Sequence, residues 1–239
     1  MAISINQVYQ TVLYVLNKEQ RGYIPPAEFN TLAEQAQLTI FEKYFDDLNQ
    51  ALRMAPNDSE YANRVKTNQE KIDVFEEEKT MPSLNKLSDL SPALHRLGTI
   101  EYNQLGSLPV ELAQMTTHDL NLAKRSKLTS PSKTFPAFSI RGNVVYPVPS
   151  DILNTELTVY YVRKPNAPVW NYSLGSIGNY VFNPTTAATN PSVDFEISDI
   201  DQVELINTIL IYCGVIIRDN QITQTAMGLV AQENQNEKS

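Results

Sequence analysis

Two histidines, His95 and His118, and one cysteine, Cys213, bound the chemistry this chain can perform. His118 and Asp119 are the one adjacent imidazole and carboxylate, but at a helix start they fit a capping or polar-surface role better than a Ser-His-Asp device. A zinc centre needs several Cys or His ligands, and one cysteine cannot supply the usual spacing. No GxxxxGKS/T or GxGxxG string occurs, so the phosphate cradles built from glycine amides are missing. Glu76-Glu77-Glu78 and Asp46-Asp47 offer neighbouring carboxylates for acid-base work. Consecutive residues point around a helix, however, and both runs are expected as solvated faces. Asp199, Asp201 and Glu204 lack the glycine-centred spacing of a calcium loop and are expected as negative charge at the positive end of a helix. Trp170, Tyr172 and Tyr180, in a Gly- and Asn-rich loop, could stack on pyranose rings, which keeps a glycan-binding module as an alternative. An enzyme with an unrecognised carboxylate site is the remaining alternative; the expectation is a non-enzyme with no cofactor and no metal.

The 239 residues that carry these groups are enough for one large domain or two small ones, and two lobes are expected. Hydrophobic residues make up 42% and charged residues 19%, with Asn, Gln, Ser and Thr filling the gap, a weakly charged polar surface suited to contact with other proteins. The net charge of -8 and pI near 4.8 argue against general phosphate binding, which relies on clustered Lys and Arg. An acidic surface could still line a DNA passage, where the need is to avoid sticking. Cys213 sits in the apolar run Leu210-Ile211-Tyr212-Cys213 and is expected as a packing residue. The first residues lack the basic start and apolar stretch of a signal peptide, and no run approaches a membrane span, so folding in a cytosol is expected.

Apolar spacing places the elements. In 4–17, Ile5, Val8, Val12, Val15 and Leu16 recur at helical spacing, with Ser4 or Asn6 as cap. Gly22, Pro25 and Pro26 break that helix, and Pro26 suits the first turn of the next. There Leu32, Ala36, Ile40, Tyr44, Leu48 and Leu52 stand four apart, with Phe29, Phe41 and Phe45 widening the stripe. The charged stretch 59–79, with sparse anchors such as Val65, Ile72 and Phe75, is expected as an exposed third helix or arm.

After Pro82 the period changes, and 94–102, 135–140, 144–148 and 157–162 are β-branched or aromatic runs of an antiparallel β lobe. Arg141-Gly142-Asn143 reads as a hairpin turn, and Thr116 or Thr117 can cap a short helix over 119–127. The Pro-, Asn- and Gly-rich stretch 164–191 carries Trp170, Tyr172, Tyr180 and Phe182; it is either an inter-subunit contact or an excursion folded on its own lobe. Ser198 and Asp201 resemble a capping box before a helix with Val203, Ile206, Leu210, Cys213 and Ile217. A last helix is expected over 221–230, followed by a polar tail. The division is thus a helical 1–91, a β lobe with its long loop over 92–198, and helices with a tail over 199–239.

Three segments together resemble the head-to-tail connector ring family (adaptor, or tail tubular protein A-like) of short-tailed bacteriophages and the ring proteins of crAss-like phages. They are Phe135-Pro136-Ala137-Phe138 with Asn143-Val144-Val145-Tyr146-Pro147-Val148-Pro149; Leu157-Thr158-Val159-Tyr160-Tyr161-Val162-Arg163-Lys164-Pro165 with Pro168-Val169-Trp170; and Glu204-Leu205-Ile206 running to Gly214-Val215-Ile216-Ile217-Arg218-Asp219. The resemblance covers the last hundred residues or so, and the charged stretch 59–79 and the loop around Tyr180 depart from it. It implies an α+β fold in which helices from both ends of the chain form one bundle beside an antiparallel β lobe. It also implies a virion protein of the head-tail junction, made in the host cytoplasm, with about a dozen copies in a ring beneath the portal. The portal protein and other neck or tail proteins are the implied partners, with double-stranded DNA passing through and no membrane involved; another neck or tail-tube ring is the nearest alternative. Trp170, Tyr172, Tyr180, Phe182, Ile222, Met227 and Val230 are the candidate interface residues. The stripe Ile222, Ala226, Met227 and Val230 cannot be buried by one helix alone, so a groove of a neighbouring or portal subunit is expected to receive it.

Overall fold

A computed structural model of the chain is α+β. It describes residues 3–18, 23–53, 64–104, 108–217, 227–228 and 232. Ile222 and Val230, with most of the expected last helix, lie outside the described residues, whereas Met227 is described and half exposed. The chain forms two compact units, one of Met1–Lys71 with Pro165–Ser239, the other of Ile72–Lys164. The first thus takes the long loop that the sequence had assigned to the β lobe, and the second starts well before residue 92.

Among the described residues the first unit contains the helices α1 (Ile5–Lys18), α2 (Pro26–Arg53) and α5 (Gln202–Ile217), with most of α3 (Arg64–Asp73). In α1 four residues of the expected stripe, Ile5, Val8, Val12 and Leu16, are inaccessible to solvent, while Val15 is half-buried and Tyr9 joins the buried face. In α2 the buried line is turned slightly: it runs through Phe29, Ala33, Ala36, Ile40 and Tyr44, while Leu32 and Leu48 are half-buried and Leu52 is exposed. Small Ala33 and Ala36 let neighbouring elements approach, and α5 packs against both α1 and α2. The buried face of α5 is likewise Leu205, Ile209, Leu210 and Cys213, with Val203 outside. The capping box expected at its start does not form. Ser198 makes no side-chain cap, the turn Asp199–Asp201 closes through the Asp201 amide on the Ser198 carbonyl at 3.0 Å, and the Asp201 carboxylate is committed elsewhere.

Strands are the main regular elements of the second unit. Ahead of it, α3 (Arg64–Asp73) ends sooner than the sequence suggested, and Glu76–Thr80 is not helical but forms strand β1. The cause lies in β7 (Leu157–Arg163), which alternates buried Leu157, Val159 and Tyr161 with outward residues and needs a hydrogen-bonding neighbour on each side. β2 (Leu94–Tyr102) supplies one, and β1 supplies the other in register Glu77 to Tyr161. With β3 (Val110–Glu111) the sheet order is β1-β7-β2-β3. β1 is an open edge, and its acidic side chains suit an edge that must not pair with other chains.

A three-stranded sheet follows, from β4 (Ala113–Gln114), β5 (Ala137–Arg141) and β6 (Val144–Val148). β4 and β5 are parallel, the one such pair among the described strands, and the β5 to β6 hairpin turns at Gly142 with φ +58°. Between β4 and β5, α4 (Thr117–Arg125) starts on Thr116, whose Oγ1 accepts the Asp119 N–H at 3.2 Å. The core between these strands holds Met81, Ile100, Tyr102, Phe138, Val145 and Val159, and Tyr161 donates its hydroxyl to the Pro92 carbonyl at 3.0 Å. Gly98 marks a close approach: a Cβ there would sit 2.8 Å from the Tyr160 carbonyl oxygen, beside the register shift between Leu97 and Ile100.

Candidate functional site

The aromatic residues of the long loop gather against α1 and α2. Trp170 is only 5% exposed, so it is a core residue of the helical unit and not the interface residue that its loop position suggested. Two asparagines hold it. Its indole N–H donates to Asn6 Oδ1 at 3.1 Å, and Asn30 brackets its backbone, accepting the Trp170 N–H at 2.8 Å and donating to its carbonyl at 3.3 Å. Such pairing lets a polar backbone lie on a helix without leaving buried groups unsatisfied. Tyr9 packs against the indole at 4.7 Å between centroids and against Phe29 at 4.6 Å.

Behind Trp170 the loop forms a hairpin of β8 (Tyr172–Leu174) and β9 (Tyr180–Phe182). Phe182 stacks on the indole at 5.6 Å and 30°, Tyr172 lies 5.9 Å from it, and Tyr172 meets Tyr180 edge to face at 4.5 Å. Ser192 ties the base, accepting the Asn171 N–H at 3.0 Å. Farther along the segment, Asn166 donates twice to Glu196, and Gln37 of α2 donates to the Asn166 carbonyl at 2.7 Å while accepting the Glu196 N–H at 3.1 Å.

A cavity of about 330 Å³ opens beside the hairpin, lined by Asn6, Tyr9, Gln10, Leu13, Tyr23, Trp170, Tyr180 and Phe182. Burial, reinforced by a hydrogen bond to Tyr23, raises the Tyr9 hydroxyl above the usual phenol range, so it stays protonated and donates to the Ile24 carbonyl at 2.9 Å. The lining is aromatic and amide, without an ionised side chain, and suits an apolar or hydrogen-bonding group. Sugar stacking would need an open ring face, and Trp170, the largest candidate, is covered.

Of the acidic groups singled out in the sequence, Asp46 and Asp47 lie on α2 and Asp199 is exposed ahead of α5, and the others fall into three places. Asp201 and Glu204 lie within the helical unit, where Asp201 accepts from Tyr44 at 2.6 Å and Lys71 at 2.9 Å, and Glu204 takes Lys43 on both oxygens at 2.9 and 3.1 Å. Glu76, Glu77 and Glu78 line a cavity of about 480 Å³ in the β unit with Gly98, Thr99 and Tyr160; strand alternation, not a helix, separates them, and Glu77 pairs with Arg163 at 3.5 Å. Asp119 is engaged by Thr116, and His118 beside it is exposed on α4. Among the described residues, no group of three or more His, Cys, Asp and Glu is placed to hold a metal, and no helix is long and apolar enough to cross a membrane.

Cys213 is fully buried on α5, and burial pushes its thiol up to about 12. In the folded chain it is expected to stay unreactive toward a disulfide reagent at mildly alkaline pH, with full reaction only after denaturation. Rapid labelling of the native chain would contradict that burial. Sequence reasoning identified the aromatic residues here and offered Asn6 only as a helix cap, whereas in the structure its side chain holds the Trp170 indole; it missed Asn30 and Gln37, two amides among the many polar residues of α2. Compared with known proteins, the sequence matches no protein-family model and no curated protein.

Proposed function

We propose that the chain is a structural subunit of a bacteriophage head-to-tail connector or neck ring, assembling below the portal and forming part of the channel through which the genome passes. The observation that carries this reading is the layout of the first unit. Helices from opposite ends of the sequence, α1 and α2 with α5, pack together, and the middle of the chain forms a separate β unit, as the family resemblance implies. One of the segments that carry the resemblance, Tyr160-Tyr161-Val162-Arg163-Lys164-Pro165, runs across the sequence boundary between the units at Lys164 and Pro165.

Exposed apolar side chains support an assembling role. Leu84, Leu108, Leu128 and Phe135 in the β unit, and Leu174 and Ile177 in the helical unit, are largely open to solvent. The net charge of -8 suits a ring wall past which DNA must move without adhering. Electron cryomicroscopy of virions that contain the chain tests the reading. Density for a closed ring of this chain beneath the portal is the expected result, and density confined to peripheral fibres or absent from the neck would overturn it.

A further inference from the structure

We propose that the β8–β9 hairpin binds a second copy of the chain edge to edge, β8 of one copy lying antiparallel to β9 of the next. The inference deepens the ring reading and rests on it for the head-to-tail direction of the contact. Among the described residues, β8 and β9 pair only with each other, so each has an open edge. The Asn183 N–H to Asn171 carbonyl bond at 2.9 Å and the Gly175 N–H to Asn179 carbonyl bond at 2.8 Å set the ladder. By alternation, the peptide groups of Tyr172 and Leu174 point off one edge, and those of Tyr180 and Phe182 off the other. Each edge thus presents two N–H and two C=O groups, on strands of opposite direction, so the two can form an antiparallel ladder with each other. Copies related by rotation about a ring axis would bring β9 of one alongside β8 of the next, a heterologous contact that closes.

Charge identifies the occupant. No charged residue occurs between Lys164 and Asp194, the longest such run in a chain of net charge -8. Two copies of an acidic protein repel, and a charge-free segment is where they meet at least cost. The edge strand β1 is guarded in the opposite way, by Glu76, Glu77 and Glu78. On the hairpin the exposed side chains are uncharged, and several are apolar: Leu174 is 69% exposed, Ile177 at the turn 91% and Val181 45%, beside exposed Ser173 and Asn179. The stack of Phe182 and Tyr172 on buried Trp170 holds the hairpin in place before it meets a partner, so little ordering remains to oppose association.

The test measures self-association of the full chain by sedimentation, for the natural sequence and for Ile177→Lys/Val181→Lys. Both changed side chains are exposed, and circular dichroism checks that the fold survives. Association of the natural chain that weakens by about 30-fold or more in the variant is the expected result. A natural chain that is monomeric at every concentration, or a folded variant that associates equally well, would overturn the hairpin contact. If the variant misfolds, cross-linking decides: Ser173→Cys and Val181→Cys chains should give covalent dimers only when mixed, while buried Cys213 stays silent. No product on mixing, or product from either chain alone, would sink the contact. Failure of the hairpin alone leaves a virion ring intact in micrographs, whereas failure of the ring reading leaves a self-associating chain with no place at the neck.

Discussion

Replacing Asp201 with alanine lowers the stability of the helical unit by about 3–5 kcal/mol, the cost of removing one partner from a buried ion pair. Asp201 is 6% exposed, and both its oxygens are used, one by the Tyr44 hydroxyl at 2.6 Å and one by the Lys71 ammonium at 2.9 Å. Without the carboxylate, a mostly buried ammonium loses its counter-charge and a buried phenol loses its acceptor. Lys71 would keep only its position over the Tyr44 ring at 5.1 Å, which compensates weakly. Burial first, and the Asp201 carboxylate second, hold the Tyr44 hydroxyl far above its ordinary range, so it remains a donor across the accessible pH scale. Asp151 provides the contrast. It also pairs with a lysine, Lys133, at 3.0 Å, but both side chains are open to water, and Asp151→Ala is expected to leave stability unchanged within error. Urea unfolding followed by circular dichroism compares the two, and equal midpoints would show that the Asp201 network contributes little.

Trp170→Ala is expected to cost a similar amount, about 3–5 kcal/mol, because a large buried ring and its packing are removed. The indole touches Tyr9, Phe182 and Tyr172, and these belong to three elements, α1, β9 and β8. The loss therefore frees the hairpin as well as leaving a cavity. Trp170→Phe separates the two contributions: most of the packing stays, but Asn6 loses the indole donor, which costs about 1 kcal/mol. Trp170 is the only tryptophan, so emission from the natural chain reports directly on this cluster and should shift to the red as the helical unit unfolds. A Trp170→Ala midpoint no lower than that of Tyr172→Ala would mean that the loop is not anchored through the indole.

The two predictions concern contacts of very different legibility. Asp201 lies 157 residues from Tyr44, and Trp170 lies 164 residues from Asn6, so neither pairing leaves a mark in local spacing. The acids near 199–204 were explicable as charge at a helix start, a local reason that hid their role as partners for Tyr44, Lys71 and Lys43. The loop aromatics were visible as a composition shift. Nothing in that shift said that Trp170 would be buried on α1 and α2 while Leu174 and Ile177 stayed outside.

What the sequence determined by itself are the features whose physics is local. The α1 stripe, the Thr116 cap, the turn at Gly142 and the alternation of β7 each depend on residues within a few positions of one another. Only the tertiary structure decided the rest. Glu76, Glu77 and Glu78 have a poor preference for strands, yet they form one because the open side of β7 needs backbone partners, and that demand comes from eighty or so residues away. The face of α2 turned for a like reason, since Gln37 is drawn inward to bond Asn166 and Glu196. Backbone groups must be satisfied wherever the chain buries them, and which side chain or strand meets that need is fixed by what the fold brings near, not by what lies adjacent in the chain.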